Sequence, residues 1–175
     1  IKNMLSLKDS LVVLKKTNAL LEGHFILSSG LHSPMYIQCA KLLSHPNLAS
    51  KICISLSKKI KKGIKNFDLI LSPAMGGIIV GYEIGKLLNK ETIFCERVSG
   101  KFSLRRGFNI KKNSKVLIIE DVITTGKSSL ECVKLIKKYN AKLVGFACII
   151  DRSNKKNLKI KKKIISQVKI KIPTF

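Results

Sequence analysis

The sequence predicts an α/β fold in which a central, mainly parallel sheet is flanked by helices. Apolar runs that are short enough to be strands alternate with helical patterns along the chain. Each run is almost continuously apolar, as expected for strands that are buried on both faces of a parallel sheet. Ligands of such sheets bind beyond the carboxyl ends of the strands, so we look for functional residues there.

The expected elements of the first half follow from apolar periodicity and from glycine and proline positions. In the second helix, Leu48, Ile52, Leu56 and Ile60 recur every four residues. The predicted order is a helix over residues 4–22 that ends at Gly23, extended pieces over 24–40, a helix over 46–62, a strand over 67–72 and a helix over 76–88.

The second half continues the alternation of strands and helices. Residues 96–110 are polar, basic and punctuated by glycine, so they predict a mobile loop and its return. The predicted order is a strand over residues 92–95, this loop, strands over 115–120 and 143–150 on either side of a helix over 128–139, and a short strand near 164–168.

Length and composition indicate one domain over residues 1–175. Charged residues interrupt the segment from Ile1 to Lys16, so it does not resemble a signal peptide. No apolar run is long enough to span a membrane, and we expect a cytoplasmic protein. The five cysteines are odd in number and lack CxxC spacing, which favours reduced thiols.

The net charge of +24 raises the possibility of nucleic-acid binding. The basic residues are nearly all lysines, only four are arginines, and they are spread along the chain. We therefore expect weak, nonspecific attraction to polyanions and no specific nucleic-acid partner.

Residues 116–129 carry the most informative pattern. They read VLIIEDVITTGKSS, a buried strand that ends in Glu120 and Asp121 before a short turn opens a helix. Unpaired backbone N–H groups and the helix dipole favour an anion at this helix N-terminus. Gly126 lets the backbone approach a ligand closely. Two carboxylates beside an anion site indicate a ligand that also carries hydroxyls or a divalent cation, such as a sugar phosphate.

Two other interpretations of residues 116–129 are a P-loop and a simple strand end. Residues 126–128 read GKS, as in a P-loop, but a P-loop needs glycine five positions before the GK pair, where this chain has Asp121. The acid pair could also simply end a strand and cap a turn. The length of the whole strand, acid pair, turn and helix unit favours the phosphate site.

This unit closely resembles the signature of the type I phosphoribosyltransferases, which bind phosphoribosyl pyrophosphate (PRPP). In that family the two acids bind the ribose 2′- and 3′-hydroxyls, and the turn binds the 5′-phosphate. The resemblance implies the type I phosphoribosyltransferase fold with a small N-terminal hood over about residues 20–40. It implies that PRPP is bound by Glu120, Asp121, Val122, Ile123, Thr124, Thr125, Gly126, Lys127 and Ser128.

Three further segments resemble orotate phosphoribosyltransferases. Residues 23–38 read GHFILSSGLHSPMYIQ, residues 96–108 read ERVSGKFSLRRGF, and residues 150–153 read IDRS. The resemblance covers residues 20–153. It implies transfer of the phosphoribosyl group from PRPP to orotate, giving orotidine 5′-phosphate and pyrophosphate in pyrimidine biosynthesis. It also implies Mg²⁺ as cofactor, held by substrate and water without direct ligation by the protein.

Orotate carries a carboxylate, which a guanidinium can bind through two hydrogen bonds. Arg152 follows the end of an apolar strand and is placed for this role, although a surface salt bridge is the alternative. Tyr36 in the hood is expected to contact the base, and the alternative role for its ring is packing in the core. The expected orotate-binding residues are Thr124, Arg152, Ser28 and Tyr36.

A second anion site is expected after the strand that ends near Leu71, where small residues expose backbone N–H groups before a helix. The resemblance implies that this loop faces pyrophosphate, and a simple strand-to-helix turn is the alternative. The loop consists of Ser72, Pro73, Ala74, Met75 and Gly76.

The basic loop over residues 96–108 is expected to be mobile and catalytic. The resemblance implies that it closes over PRPP, supplies positive charge to the leaving pyrophosphate and reaches the neighbouring subunit of a homodimer. A solvated basic loop is the alternative. The expected catalytic residues are Arg97, Lys101, Arg105 and Arg106.

Two other functions share the PRPP signature. One is a phosphoribosyltransferase for another base, such as a purine or uracil, which the LRRGF loop and the hood disfavour. The other is a PRPP-sensing regulator that binds nucleic acid, which the basic charge could suit.

Overall fold

The computed structural model describes residues 4–173 and Phe175, and it contains the expected alternation of strands and helices. The elements in chain order are α1 (Leu7–Lys16), β1 (Leu20–Ile26), β2 (His32–Ile37), α2 (Cys39–Leu43), α3 (Pro46–Gly63), β3 (Leu69–Pro73), α4 (Gly76–Leu88), β4 (Glu91–Val98), β5 (Lys101–Ser103), β6 (Lys115–Ile123), α5 (Lys127–Lys138), β7 (Lys142–Asp151) and β8 (Ile164–Lys169).

The larger sheet has six strands in the order β5-β4-β3-β6-β7-β8. Strands β4 and β5 pair antiparallel, and all other neighbours pair parallel. The predicted α/β fold with a mainly parallel sheet is therefore confirmed. Because β3, β6 and β7 run parallel, their carboxyl ends lie at the same edge of the sheet. None of the helices in the described part of the chain is long and apolar enough to cross a membrane.

Side chains of the central strand β6 alternate between two hydrophobic clusters, one on each face of the sheet. Leu117 and Ile119 belong to the cluster that includes residues of α1, α3 and α4. Ile118 belongs to the other cluster, which includes residues of α5. Helices α4 and α5 therefore cover opposite faces. All five cysteines are free and buried, as the sequence predicts.

The predicted hood contains the antiparallel strands β1 and β2. A turn closes this hairpin through a hydrogen bond from the N–H of Leu27 to the carbonyl of Leu31, at 2.8 Å. Backbone hydrogen bonds in both directions join His32 to Phe175. Phe175 thus lies beside the hood. The extended pieces predicted over residues 24–40 are confirmed up to Ile37, whereas residues 39 and 40 begin the unpredicted helix α2.

The prediction of one helix over residues 4–22 was wrong at both ends. Helix α1 begins after Ser6, whose hydroxyl accepts the N–H of Asp9, and it ends at Lys16. Asn18 then adopts a left-handed conformation (φ 60°), which a helix cannot continue. The leucines at 20 and 21 fit a helical spacing but belong to β1, because pairing with β2 outweighs the local pattern.

The loop predicted over residues 96–110 is partly a β-hairpin. Strand β4 continues to Val98, which pairs with Lys101 at the start of β5. The two turn residues, Ser99 and Gly100, both have positive φ values, 50° and 79°. A two-residue turn of this kind matches the twist of its strands and makes a tight hairpin.

We expect Phe146→Ala to lower the free energy of unfolding by about 3–5 kcal/mol, because it removes a fully buried ring from the α5 face of the sheet. Urea denaturation measures this change. Val12→Ala on α1 is the control, since that side chain is 57% exposed, and it should change stability by less than about 0.5 kcal/mol. Equal losses in the two variants would contradict this picture of the core.

Candidate active site

The turn between β6 and α5 forms a small concave site, which we call the phosphate turn (residues 122–128). A cavity of about 130 Å³ is lined by Glu120 and by residues 122–128. Gly126 caps α5 with a left-handed backbone (φ 78°), so the first N–H groups of the helix point to the cavity edge. Thr124 and Thr125 are exposed and can offer hydroxyls. This geometry suits a phosphate at a helix N-terminus.

Two carboxylates stand beside the phosphate turn. Glu120 is 7% exposed and accepts a hydrogen bond from the hydroxyl of Ser129. Burial raises the pKa of Glu120 to about 7, against the lowering effect of Ser129. Burial also raises the pKa of Asp121, whose carboxylate accepts the N–H of Val122 at 2.8 Å. The pair can accept hydrogen bonds from sugar hydroxyls at a site that is largely shielded from water.

The loop from Ser72 to Gly76 meets the acid pair at Gly76. A Cβ atom at position 76 would lie 2.5 Å from Oδ2 of Asp121, so a larger residue there would require the carboxylate to move. The N–H of Ala74 donates to the carbonyl of Cys95 at 2.8 Å, which ties the loop to β4. The structure therefore brings the second predicted anion site into contact with Asp121.

A segment that the sequence did not indicate supports the phosphate turn from behind. The N–H of Lys159 donates to the carbonyl of Thr125 at 3.0 Å. Ile160 packs against Gly126 so closely that a Cβ atom there would lie 2.6 Å from its Cγ1. The chain after β7 thus fixes the position of the turn, which sequence patterns could not reveal.

Arg152 directly follows β7, and its N–H donates to the carbonyl of Ile123 at 3.0 Å. Its Nε atom is buried and has no hydrogen-bond partner among the described residues. Burial lowers the pKa of this guanidinium. A buried N–H donor without a partner carries an energetic cost, which an anionic ligand would relieve. No salt bridge is found at Arg152 in the described part of the chain, so the salt-bridge alternative is not supported.

Two of the four predicted loop cations are held by ion pairs. Arg97 donates to both carboxylate oxygens of Glu131 on α5, at 2.7 and 3.3 Å, and its guanidinium lies 4.2 Å from the ring centre of Phe102. Arg106 similarly donates to Glu96, at 2.7 and 2.9 Å. In this conformation Arg97 fastens the β4–β5 hairpin to the helix that begins at the phosphate turn.

The other two loop cations remain at the surface. Lys101 and Arg105 are exposed, and neither forms an ion pair within 4 Å in the part of the chain that is described. Lys101 lies on a larger cavity that also includes Lys127 of the phosphate turn. The structure therefore brings Lys101 to the edge of the site, and Arg105 lies beyond the hairpin.

The hood residues lie in the β1–β2 hairpin, and neither lines the cavity of the phosphate turn. Ser28 is in the exposed turn between the strands. Tyr36 is 40% exposed, and its ring lies 5.7 Å from that of Phe25. Packing in the core is therefore not the role of Tyr36.

Sequence reasoning missed three side chains that position the predicted ones. Ser129 binds Glu120, Glu131 binds Arg97, and Glu96 binds Arg106. The pairing with Arg97 lowers the pKa of the Glu131 carboxyl, and the pairing with Arg106 lowers the pKa of the Glu96 carboxyl. Glu131 is the one acid in α5, whose other charged residues are lysines. This isolated acid was the sequence signal that could have indicated a partner for a loop cation.

Comparison with known proteins gives consistent results. The family model of the phosphoribosyl transferase domain matches residues 39–174. The orotate phosphoribosyltransferase of Parvibaculum lavamentivorans is 46% identical over 162 residues, which cover 92% of this chain and 83% of that protein. That of Caldicellulosiruptor bescii is 48% identical over 150 residues, which cover 85% and 78% of the two chains.

Solved structures show the same fold at lower identity. The orotate phosphoribosyltransferase from Aeropyrum pernix superposes with a TM-score of 0.71 at 21% identity, covering 91% of this chain and 92% of that one. An adenine phosphoribosyltransferase from Thermoanaerobacter pseudethanolicus gives 0.65 at 17% identity, covering 78% and 88%. Together with the sequence relatives and the geometry of the phosphate turn, these matches show that the chain belongs to the orotate phosphoribosyltransferases of the type I phosphoribosyltransferase family.

Proposed function

We propose that this enzyme transfers the phosphoribosyl group from PRPP to orotate, giving orotidine 5′-phosphate and pyrophosphate in pyrimidine biosynthesis. The observation that carries the proposal is the phosphate turn with its two adjoining carboxylates, a site for a ligand that has both a phosphate and hydroxyls. The sequence relatives named orotate phosphoribosyltransferase support orotate as the acceptor.

PRPP would be bound at both anion sites. Residues 122–128 would hold the 5′-phosphate, and Glu120 and Asp121 would accept hydrogen bonds from the ribose hydroxyls. The loop over residues 72–76 would face pyrophosphate, with its backbone N–H groups available before α4. The contact between Gly76 and Asp121 supports this arrangement, because it places the pyrophosphate loop beside the ribose site.

Orotate would bind beyond the end of β7. Arg152 would pair with the orotate carboxylate, and its buried Nε without a partner supports this role. Thr124, at the start of the turn, would reach the base, and Ser28 and Tyr36 would cover it from the hood. Their exposure leaves them available to a ligand.

The reaction would be displacement of pyrophosphate from C1 of the ribose by N1 of orotate. The bond from C1 to the pyrophosphate oxygen breaks and the bond to N1 forms, through a transition state that resembles an oxocarbenium ion. The protein would act by positioning and by electrostatic stabilisation of the leaving group. Lys101 and Arg105, which are exposed and outside the ion pairs, are the loop cations best suited to that role, while Arg97 and Arg106 would hold the loop.

Mg²⁺ is proposed as the cofactor. Glu120 and Asp121 supply carboxylate oxygens beside the phosphate turn, the donor type that this ion prefers. They would hold the ion through water and the ribose oxygens. When bound with PRPP, the ion would neutralise negative charge on the pyrophosphate.

A homodimer is also proposed, with the loop over residues 96–108 reaching the neighbouring site. Met75, the residue before α4, is 84% exposed, and Ile79 and Tyr82 on α4 are 57% and 69% exposed. They recur at helical spacing and form an apolar stripe on one face. Such a stripe suits a second copy of the chain. A single domain, a cytoplasmic location and the lack of a specific nucleic-acid partner remain predictions of the sequence.

The function is tested by mixing the enzyme with PRPP, Mg²⁺ and orotate, and following the loss of orotate absorbance. Adenine, hypoxanthine and uracil are run in parallel. We expect turnover with orotate alone and none after Mg²⁺ is chelated. Turnover with a different base would move the specificity to that base. PRPP binding without turnover of any base would favour the alternative function, a PRPP-sensing regulator that binds nucleic acid.

We expect Arg152→Gln to raise the KM for orotate by at least about tenfold, or about 1.4 kcal/mol, because it removes the charge that pairs with the orotate carboxylate. The KM for PRPP should change by less than about twofold, since Arg152 lies outside the phosphate turn. Steady-state kinetics measure both constants, and Arg152→Lys should recover part of the loss. An unchanged KM for orotate would remove Arg152 from the base site.

We expect Lys101→Ala and Arg105→Ala each to lower kcat by at least about tenfold, the effect of about 1.4 kcal/mol on the barrier. Lys111→Ala is the control, because it removes an exposed cation outside residues 96–108. Wild-type kcat in both loop variants would refute the catalytic role of the loop.

Action of the loop on the neighbouring site can be tested by complementation. Lys101→Ala and Asp121→Asn should each have low activity alone. After random exchange, an equal mixture should recover about a quarter of wild-type activity, because about half of the dimers are then mixed and one of the two sites in each combines an intact loop with an intact acid pair. Activity is measured after the two proteins are mixed and allowed to exchange subunits. A mixture no more active than its components, with exchange demonstrated, would place each loop over its own site.

We expect the KM for PRPP to fall as pH rises through about 7, because the raised pKa of Glu120 means that its carboxylate ionises in this range. The ionised carboxylate is a strong acceptor at both oxygens, whereas in the protonated form one oxygen carries a proton and becomes a donor. Glu120→Gln should flatten this part of the profile. Ionisation of the PRPP phosphates contributes equally in both enzymes, so the difference between their profiles isolates Glu120. Identical profiles would contradict the role of its ionisation.

A further inference from the structure

A wide groove lies between the β4–β5 hairpin and α5, and it shares Lys127 with the small cavity of the phosphate turn. Its volume is about 870 Å³, within the range of small-molecule sites. The hairpin forms one wall, α5 forms the other, and Lys159 lies at one end. We call it the basic groove, after the six cations in its lining: Arg97, Lys101, Lys127, Lys134, Lys138 and Lys159.

The charge of the basic groove is strongly one-sided. One carboxylate, that of Glu131, lines it against the six cations, and Arg97 already pairs with this carboxylate. Lys134 and Lys138 are one helical turn apart on the exposed side of α5. Several cations around one concave space produce a local field that attracts a ligand with more than one negative charge.

The groove also has an apolar part. Leu130 and Leu135 of α5 and Phe102 of β5 line it together with the cations. A phosphate chain would use only the cations, whereas a ligand that joins phosphates to a ring would use both parts. A nucleoside polyphosphate has this combination, a planar base for the apolar surface and a phosphate chain for the lysines.

The groove contacts both moving and fixed parts of the active site. Arg97 and Lys101 belong to the hairpin of the catalytic loop, and Lys127 lines both this groove and the cavity of the phosphate turn. The backbone of Lys159 supports Thr125. A multivalent anion in the groove would bridge the hairpin and α5, and it would add to the Arg97–Glu131 ion pair that already joins them.

The α5 wall of the groove would stay open in the proposed dimer, whereas the hairpin wall would leave α5 when the loop reaches the neighbouring site. The apolar stripe of α4 lies on the face of the sheet covered by α3 and α4, whereas the groove is on the α5 face. A partner subunit seated on the stripe would therefore leave α5 uncovered.

We propose that the basic groove binds a polyphosphate ligand of the nucleotide class, and that this ligand lowers the turnover of the enzyme by holding the hairpin against α5. The binding step depends only on the groove. The kinetic effect rests on the proposed catalytic role of the loop, because it requires that Lys101 leave α5 to act on PRPP.

Isothermal titration calorimetry tests the binding step with two probes, uridine 5′-triphosphate and inorganic tripolyphosphate. Excess Mg²⁺ prevents depletion of the ion, and saturating PRPP occupies the phosphate turn. The groove variant is Lys134→Gln/Lys138→Gln. The matched control is Lys51→Gln/Lys61→Gln on α3, which removes two exposed charges from the opposite face of the sheet.

We expect the groove variant to bind the probes at least about tenfold more weakly than the wild type, and the α3 variant to bind within about twofold of it. Tighter binding of uridine 5′-triphosphate than of tripolyphosphate would identify a nucleotide ligand, and equal binding would identify a polyphosphate chain. Equal weakening in both double variants would show diffuse attraction to a basic protein and overturn the proposal. Loss of all probe binding when PRPP is present would also overturn it.

Inhibition kinetics test the second step with the same variants. In the wild type, the probe should lower kcat without raising the KM for PRPP, and the groove variant should lose this effect while keeping its kcat without probe. Competition with PRPP would place the probe in the active site and overturn the proposal that the probe binds in the basic groove. Tight, groove-dependent binding without any effect on kcat would overturn the regulatory step and count against the catalytic role of the loop. The assay with orotate tests the main activity separately.

Discussion

The active site depends on the close approach of Gly76 to Asp121. A side chain at position 76 would overlap the carboxylate, so the start of α4 and the acid pair of β6 approach at a distance that suits glycine. The parallel pairing of β3 with β6 sets this approach, since Leu69 lies opposite Val116 and Leu71 lies opposite Ile118, two residues before Glu120. Two anion sites are thereby held within reach of one ligand, without a side chain between them.

The electrostatics of the site combine buried acids with cations that are mostly peripheral. Glu120 and Asp121 lie near the carboxyl end of the largely buried strand β6, where burial raises the pKa of each carboxyl. The phosphate turn offers backbone N–H groups and one side-chain cation, Lys127. Arginines of the hairpin are held by glutamates outside this region. The site therefore combines two carboxyls whose charged forms are disfavoured by burial with donors that suit an anionic group.

Sequence patterns predicted the parts of this molecule that depend on neighbours along the chain. The apolar run before Glu120 and the glycine after Thr125 identify a strand, a turn and a helix directly. The roles of Ser129 and Ile160 depend on packing between segments that are separated in sequence, so no local pattern could indicate them. Local patterns also failed where pairing decided the structure, as at Leu20 in β1 and at Ser99 in the hairpin turn.

The hairpin turn at Ser99 and Gly100 has a consequence for the cost of closing the active site. A disordered loop loses conformational entropy each time it closes over a substrate, by roughly 1–2 kcal/mol for every backbone residue that becomes fixed. Residues 96–98 are already paired with residues 101–103 as strands in the structure. In the proposed catalytic role, the arm that carries Lys101 would move as a stiff unit, and most of its ordering would take place once, during folding, instead of at every catalytic cycle.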